Sequence, residues 1–158
     1  MSVYFFDSSA LVKRYISEVG SAWVQSITDP AAASTIFIAQ ITGAEVVAAI
    51  SRRVGNISAT DAANAIAAFR YDFANQYDPL EITDILIAQA MDLAETYRLR
   101  GYDSVQLAAA VEINRRSLTT GISVLGGHPL VLVSADDELN HAANAEGLPI
   151  EDPRNHPP

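Results

Sequence analysis

An α/β fold, with a central mostly parallel sheet covered by helices on both faces, is predicted by three observations. Short apolar, often β-branched runs alternate with longer amphipathic stretches along the chain. The clearest runs (Val3–Phe6, Thr35–Ala39 and Val131–Val133) are apolar throughout, as strands buried on both faces are. Soon after each run a helix begins, and an acid stands at or near its start. The 158 residues fit one domain with a sizeable core. That domain is expected over residues 1–153, with 154–158 as a disordered tail.

The first strand stops at Asp7, and a helix follows with Leu11, Val12 and Tyr15 at helical spacing. Gly20-Ser21 opens a second helix through Trp23 and Ile27, closed by Asp29-Pro30. After the second strand, Thr42-Gly43-Ala44-Glu45 begins a helix that ends near Arg53–Gly55. Ser58 or Thr60 caps the next, with Ile66, Phe69 and Phe73 inward, until Asp78-Pro79 breaks it. Leu80–Thr83 reads as a short edge strand and Asp84–Arg98 as a helix with Asp84 as its cap. Asp103–Arg116 is a helix whose small residues (LAAAV) let it lie close on a sheet. Ser117–Pro129, with Gly121, Gly126 and Gly127, reads as a loop or insertion. Asp136–Ala145 is the last helix and Leu148–Ile150 the last strand. Asp72, Asp92 and Glu95 read as a solvated face.

Composition narrows the function classes. The formal charge is −9, and one lysine stands with nine arginines. A protein that binds nucleic acid chiefly by phosphate neutralisation is basic. Nucleic-acid contact would therefore use local patches such as Lys13–Arg14, Arg52–Arg53 or Arg115–Arg116. The competing reading of these pairs is solvated helix ends. The chain has no cysteine, which excludes a disulfide framework and a thiolate metal site. No apolar run reaches the roughly 18–20 residues of a membrane helix, and no signal peptide is evident. A cytoplasmic location fits. His128, His141 and His156 are scattered away from the acids and read as surface or loop residues.

Four carboxylates share one context: Asp7, Glu45, Asp103 and Asp136. Singly, each reads as a cap or as a first-turn acid. Thr42-x-x-Glu45 matches a capping box, and Asp103-x-x-Gln106 looks similar. Together they read differently, because the strands before Asp7, Glu45 and Asp136 sit side by side in the middle of the sheet. Ligands of open α/β sheets bind outside the strand carboxyl ends. Two carboxylates about 4 Å apart repel by about 4 kcal/mol at an effective dielectric near 20. Neither Lys13 nor His141 is placed to neutralise them. Mg²⁺ or Mn²⁺, hard ions that prefer carboxylate oxygen and water, would serve. A carboxylate-held pair of such ions implies phosphoryl chemistry, one ion activating a water and the other steadying the leaving oxygen.

With these residues in view, the chain resembles a PIN-domain ribonuclease, specifically the VapC-like toxins of toxin–antitoxin modules. The matching motifs are YFFDSSALVKRY, ITGAEVVAAISRR, LRGYDSVQLAAA and LVLVSADDELNHAANAEGL, in the family's order from Val3 to about Pro153. The resemblance implies a three-layer α/β/α domain, a metal-dependent endoribonuclease hydrolysing RNA phosphodiester bonds, a homodimer and an antitoxin partner. It places Asp7, Glu45 and Asp103 as the core acids and Asp136 as the fourth. Asp137 and Glu138 stand beside Asp136. One register puts Asp136 on the site, Glu138 in an outer shell and Asp137 in solvent. Ser134, with Ser8 or Ser9, would hydrogen-bond the carboxylates or a metal-bound water, the alternative being helix capping. The long Ser117–Pro129 segment and the low basic content depart from the family, and a weakly active or RNA-selective enzyme would fit the latter. Alternative readings are a solitary nuclease of this kind without an antitoxin, a phosphoryl-accepting receiver domain, which wants a lysine beside the acids, and a non-catalytic acidic α/β binding module.

Overall fold

The computed structural model describes residues 2–119 and 126–156. The strands are β1 (Val3–Phe6), β2 (Thr35–Ala39), β3 (Asp78–Leu80), β4 (Leu130–Val133) and β5 (Ile150–Glu151). They form one wholly parallel sheet in the order β3-β2-β1-β4-β5. The α-helices are α1 (Ser8–Leu11), α2 (Ser21–Thr28), α3 (Thr42–Ser51), α4 (Ala59–Asn75), α5 (Asp84–Tyr97), α6 (Gly101–Thr119) and α7 (Asp137–Ala145).

The two-residue period of a strand explains the three layers. Phe5 and Phe6 are neighbours, both fully buried, and they face opposite sides of the sheet. Phe5 joins Val3, Leu130 and Leu132 against α5, α6 and α7. Phe6 joins Ile36, Ile38 and Val133 in the layer built by α1 to α4. Each such side chain contributes about 1.5–3 kcal/mol by leaving water. The run Leu107, Ala108, Ala109 and Ala110 is buried too, so α6 lies close on the sheet as its small residues suggest.

Register sets the edge on which chemistry can happen. Phe6 pairs with Ile38 on one side and with Val133 on the other. The ends of β2, β1 and β4 are therefore level, and Asp7 and Ser134 emerge together. The Asp7 amide donates to the Val133 carbonyl at 3.2 Å.

Several boundaries differ from the sequence reading. The third strand is Asp78–Leu80 rather than Leu80–Thr83. Pro79 is tolerated because β3 is at the sheet edge, where a missing N–H costs no ladder bond. The fifth strand is Ile150–Glu151 rather than Leu148–Ile150. The first helix is one α-turn continued as a 3₁₀ turn over Val12–Arg14. Helix α6 starts two residues before Asp103 and runs to Thr119, so the beginning of the expected Ser117–Pro129 loop is helical. Residues 120–125 of that segment lie outside the described residues. Thr83, not Asp84, caps α5, and Ser58 caps α4.

Two larger corrections concern polar residues. Asp72 is not part of a solvated face: it accepts from Arg14 Nε at 3.0 Å and from the Tyr15 hydroxyl at 2.7 Å. Tyr15 also hydrogen-bonds Tyr77, and Arg14 reaches Thr28, so these contacts tie α4 to the start of the chain. Nor does the tail from Arg154 to His156 fray. Pro153 is buried, Arg154 pairs with Asp152 and Asp137, and His156 stacks on Trp23 with ring centroids 4.1 Å apart. Gly20, at φ +87°, permits this docking, because a Cβ there would collide with the Pro153 carbonyl.

Candidate functional site

Asp7 directly follows β1, is 2 % exposed and caps α1. Its Oδ1 accepts from the Ala10 amide at 3.1 Å and from Ser9 Oγ at 2.8 Å. Ser9 Oγ in turn accepts from the Ala135 amide at 2.9 Å, which fastens Asp7 to the turn after β4. Burial pushes the Asp7 carboxyl up to about 7, against the lowering effect of the Ser9 and Ala10 hydrogen bonds, and the Glu45 charge pushes it the same way as burial.

Glu45 lies in the first turn of α3. Its Oε2 accepts from Gln106 Nε2 at 2.5 Å, and Gln106 Nε2 also reaches Thr42 Oγ1 at 2.8 Å. Both capping-box readings are therefore replaced by a cross-helix network. Thr42 lies inside α3 and does not cap it, while Gln106 turns away from its own helix start toward α3. Burial holds the Glu45 carboxyl above its ordinary range, opposed by hydrogen bonds from Gln106 and Ser8 and assisted by the Asp103 charge.

Asp103, in the first turn of α6, is raised by burial and then by the charge of Asp136, with Glu138 adding to it and Arg100 opposing it. Asp136 caps α7 through the Leu139 amide at 2.9 Å. Ser134, fully buried, accepts from the Asp136 amide at 3.0 Å, so it fixes that acid's backbone rather than a carboxylate. The Asp137 side chain is 85 % exposed and pairs with Arg154. Glu138 is exposed, near enough to Asp103 to be felt electrostatically. Gln106 and Thr42 enter the site unannounced by their spacing. The one signal in the sequence is that each is a polar residue on an otherwise small and apolar helix stretch.

The acids thus form a series along one edge: Asp7 feels Glu45, Glu45 feels Asp103, and Asp103 feels Asp136. Among the described residues no group of three or more His, Asp or Glu side chains is drawn tightly enough to hold an ion unaided. The donors are nevertheless hard carboxylate oxygens with no imidazole or sulfur among them. That set fits Mg²⁺ or Mn²⁺, which keep several waters and use few protein ligands. A groove of about 670 Å³ opens beside Ser8, Ser9 and Glu45.

The molecule is an α/β domain with acids along the carboxyl edge of a parallel sheet, and its family is shown by comparison. The PIN domain family model matches residues 4–145, and the chain belongs to that family. It is similar to Ribonuclease VapC45 and Ribonuclease VapC49 of Mycobacterium tuberculosis (strains CDC 1551 / Oshkosh and ATCC 25618 / H37Rv). Each is 29 % identical over 151 residues, covering 95 % of this chain and 95 % of the relative. The fold is similar to that of PAE2754 from Pyrobaculum aerophilum (TM-score 0.63, 19 % identity, 98 % of this chain and 92 % of that one). It is similar also to a chain of VapBC2 from Rickettsia felis bound to a DNA fragment from their promoter (TM-score 0.60, 14 % identity, 95 % and 98 %).

Proposed function

We infer that the chain is a VapC-type toxin: an endoribonuclease that hydrolyses RNA phosphodiester bonds with Mg²⁺ or Mn²⁺. The observation that carries this reading is the burial of Asp7. A helix cap is worth about 1 kcal/mol and works as well at the surface. Keeping a carboxylate ionised where its pKa is about 7 costs about 4 kcal/mol near or above neutral pH, since each tenfold gain in proton affinity is worth about 1.4 kcal/mol. That cost remains after the Ser9 and Ala10 hydrogen bonds have lowered it, so capping does not offset it, whereas a doubly charged ion would. Family membership and the relatives named Ribonuclease support the same reading.

Asp7, Glu45, Asp103 and Asp136 would hold the ion directly or through water. When bound, it supplies a water of lowered pKa and positive charge for the phosphodiester. The chain's own contribution is orientation. Ser9 and the Ala10 amide fix one Asp7 oxygen, leaving the other available. Gln106 holds one Glu45 oxygen in the same way, and Ser134 sets the turn that presents Asp136. Glu138 would act from the outer shell, through Asp103.

An antitoxin partner follows from the likeness to VapC ribonucleases, and a cationic side chain inserted among the acids would inhibit. A homodimer would bury the exposed Ile85 (74 %) and Met91 (67 %) of α5. Among the described residues no helix is long and apolar enough to cross a membrane, and a cytoplasmic site of action fits the cysteine-free chain.

The test is to incubate purified protein with total RNA in Mg²⁺ or Mn²⁺ and map the ends produced. The reading expects discrete cuts that vanish with EDTA and with Asp7→Asn. Cutting that persists in either arm removes it.

A further inference from the structure

The groove beside the acids has two features the hydrolytic site does not use. The first is Tyr102, immediately before Asp103, with a ring 62 % exposed that lines the groove. Its hydroxyl has no hydrogen-bond partner among the described residues. A large ring left in water on a rigid first helical turn is an unspent contact surface, and aromatic rings in such grooves serve as stacking platforms for unpaired bases.

The second is Arg52, at the end of α3. Glu45, Ala48, Ala49 and Arg52 fall on one stripe of that helix and all line the groove. Arg52 therefore lies about 10 Å from Glu45 along the helix axis, at 1.5 Å per residue. The other cations on the groove wall are committed. Lys13 and Arg53 both pair with Glu18, and Arg154 pairs with Asp137 and Asp152. Arg52 makes no ion pair among the described residues and is exposed, so its guanidinium remains available to a phosphate.

On the ribonuclease reading the strand being cut runs through this groove, and we propose that Tyr102 and Arg52 hold it there. The Tyr102 ring stacks on the base beside the phosphodiester held at the acid edge, and Arg52 grips a backbone phosphate farther along the strand. The proposal rests on the ribonuclease reading. It also answers the charge problem: a chain of net charge −9 cannot rely on a global positive field, so stacking and a local cation add to what a bound ion supplies. Stacking requires an unpaired base, which makes the groove selective for single strands over duplex.

Binding of a fluorescently labelled single-stranded RNA oligonucleotide, read by anisotropy with the wild type as parent protein in Ca²⁺, another oxygen-seeking divalent ion, and with the RNA confirmed intact on a gel, tests this. Adding Tyr102→Ala should weaken binding about 5- to 150-fold, while Tyr102→Phe should stay within about twofold, because the ring and not the hydroxyl does the stacking. Arg52→Ala should lower the slope of log affinity against log salt by about 0.7, the single-strand value for one phosphate. A duplex of the same sequence should bind more weakly than the strand.

Binding by Tyr102→Ala within twofold of the parent overturns the proposal, as does an equal loss in Tyr102→Phe or no binding by the parent. If Tyr102→Ala instead releases a co-expressed antitoxin and leaves RNA binding unchanged, the groove docks protein and the proposal is again overturned. The two readings fail separately. Tyr102-dependent binding with no cleavage by the wild type would remove the ribonuclease reading and keep the groove. Cleavage with Tyr102-independent binding would do the reverse.

Discussion

Gln106 Nε2 donates to Glu45 Oε2 at 2.5 Å, joining the helices α6 and α3 across the acid edge. The same amide group reaches Thr42 Oγ1, so one side chain serves two partners in a largely buried place. Gln106→Leu keeps the volume and removes the donor. We expect a stability loss of about 1–3 kcal/mol, the usual consequence of leaving buried polar groups unpaired. Cleavage should fall through kcat, since Glu45 loses its orientation and RNA keeps its groove. Thermal melting and a kcat-against-KM comparison check both parts.

Asp7 gives the clearest pH signature. Its carboxyl sits near 7 in the folded protein against an ordinary value of 3.8. Between those values the folded state binds more protons than the unfolded one, so stability falls as pH rises through that window and levels off above it. Without divalent metal, Asp7→Asn should therefore melt higher than the wild type at about pH 8, by up to about 4 kcal/mol. The advantage should shrink as pH drops through that window and vanish below about pH 3, beneath both values, where both states are protonated. The same variant should be inactive, a trade of stability against function. Paired melts in EDTA across that range check it.

Ser9 is the clasp of the site, since it donates to Asp7 Oδ1 and accepts from the Ala135 amide. Ser9→Ala should cost about 1–3 kcal/mol by stranding that amide. It should also lift the Asp7 carboxyl further, because a hydrogen bond that favours the charged form is gone. Ser9→Thr, which keeps the oxygen, should restore most of both. Carbon-detected NMR titration of the Asp7 carboxyl in metal-free protein reads the change directly.

The docking of residues 152–156 onto α2 predicts an asymmetry between two glycines. Gly20 and Gly55 both have φ in the left-handed region, at +87° and +111°. A Cβ at Gly20 meets the Pro153 carbonyl, whereas one at Gly55 meets nothing within 4 Å. Gly55→Ala should cost only its backbone strain, about 1–3 kcal/mol. Gly20→Ala should cost more and should release the Trp23–His156 stack, visible as a change in tryptophan fluorescence.

How much of the fold and site is legible in the sequence follows from the range of each interaction. The strands ending at Phe6, Ala39 and Val133 announce themselves by unbroken apolar runs. A parallel sheet, read from the alternation of strands and helices, puts their carboxyl ends on one edge. The edge that carries Asp7 and Asp136 can therefore be read directly, whereas the pairing of β1 with β4 rests on the observed register. Spacing misleads where a polar side chain has a distant partner. Thr42 and Glu45 have capping-box spacing, yet both partner Gln106, more than sixty residues away. Asp72 looks solvated because neither Arg14 nor Tyr15 is near it in sequence. The tail has no apolar run to bury, and what holds it is a ring stack and an ion pair with residues of α2 and α7.

The central claim is that the acid edge binds a divalent cation. The most direct measurement is a Mn²⁺ titration followed by electron paramagnetic resonance, on the wild type, Asp7→Asn and Asp103→Asn. The account expects the wild type to take up Mn²⁺ and to yield it to excess Mg²⁺, with both variants leaving the metal in solution. Equal uptake by all three proteins, or none by the wild type, would contradict it.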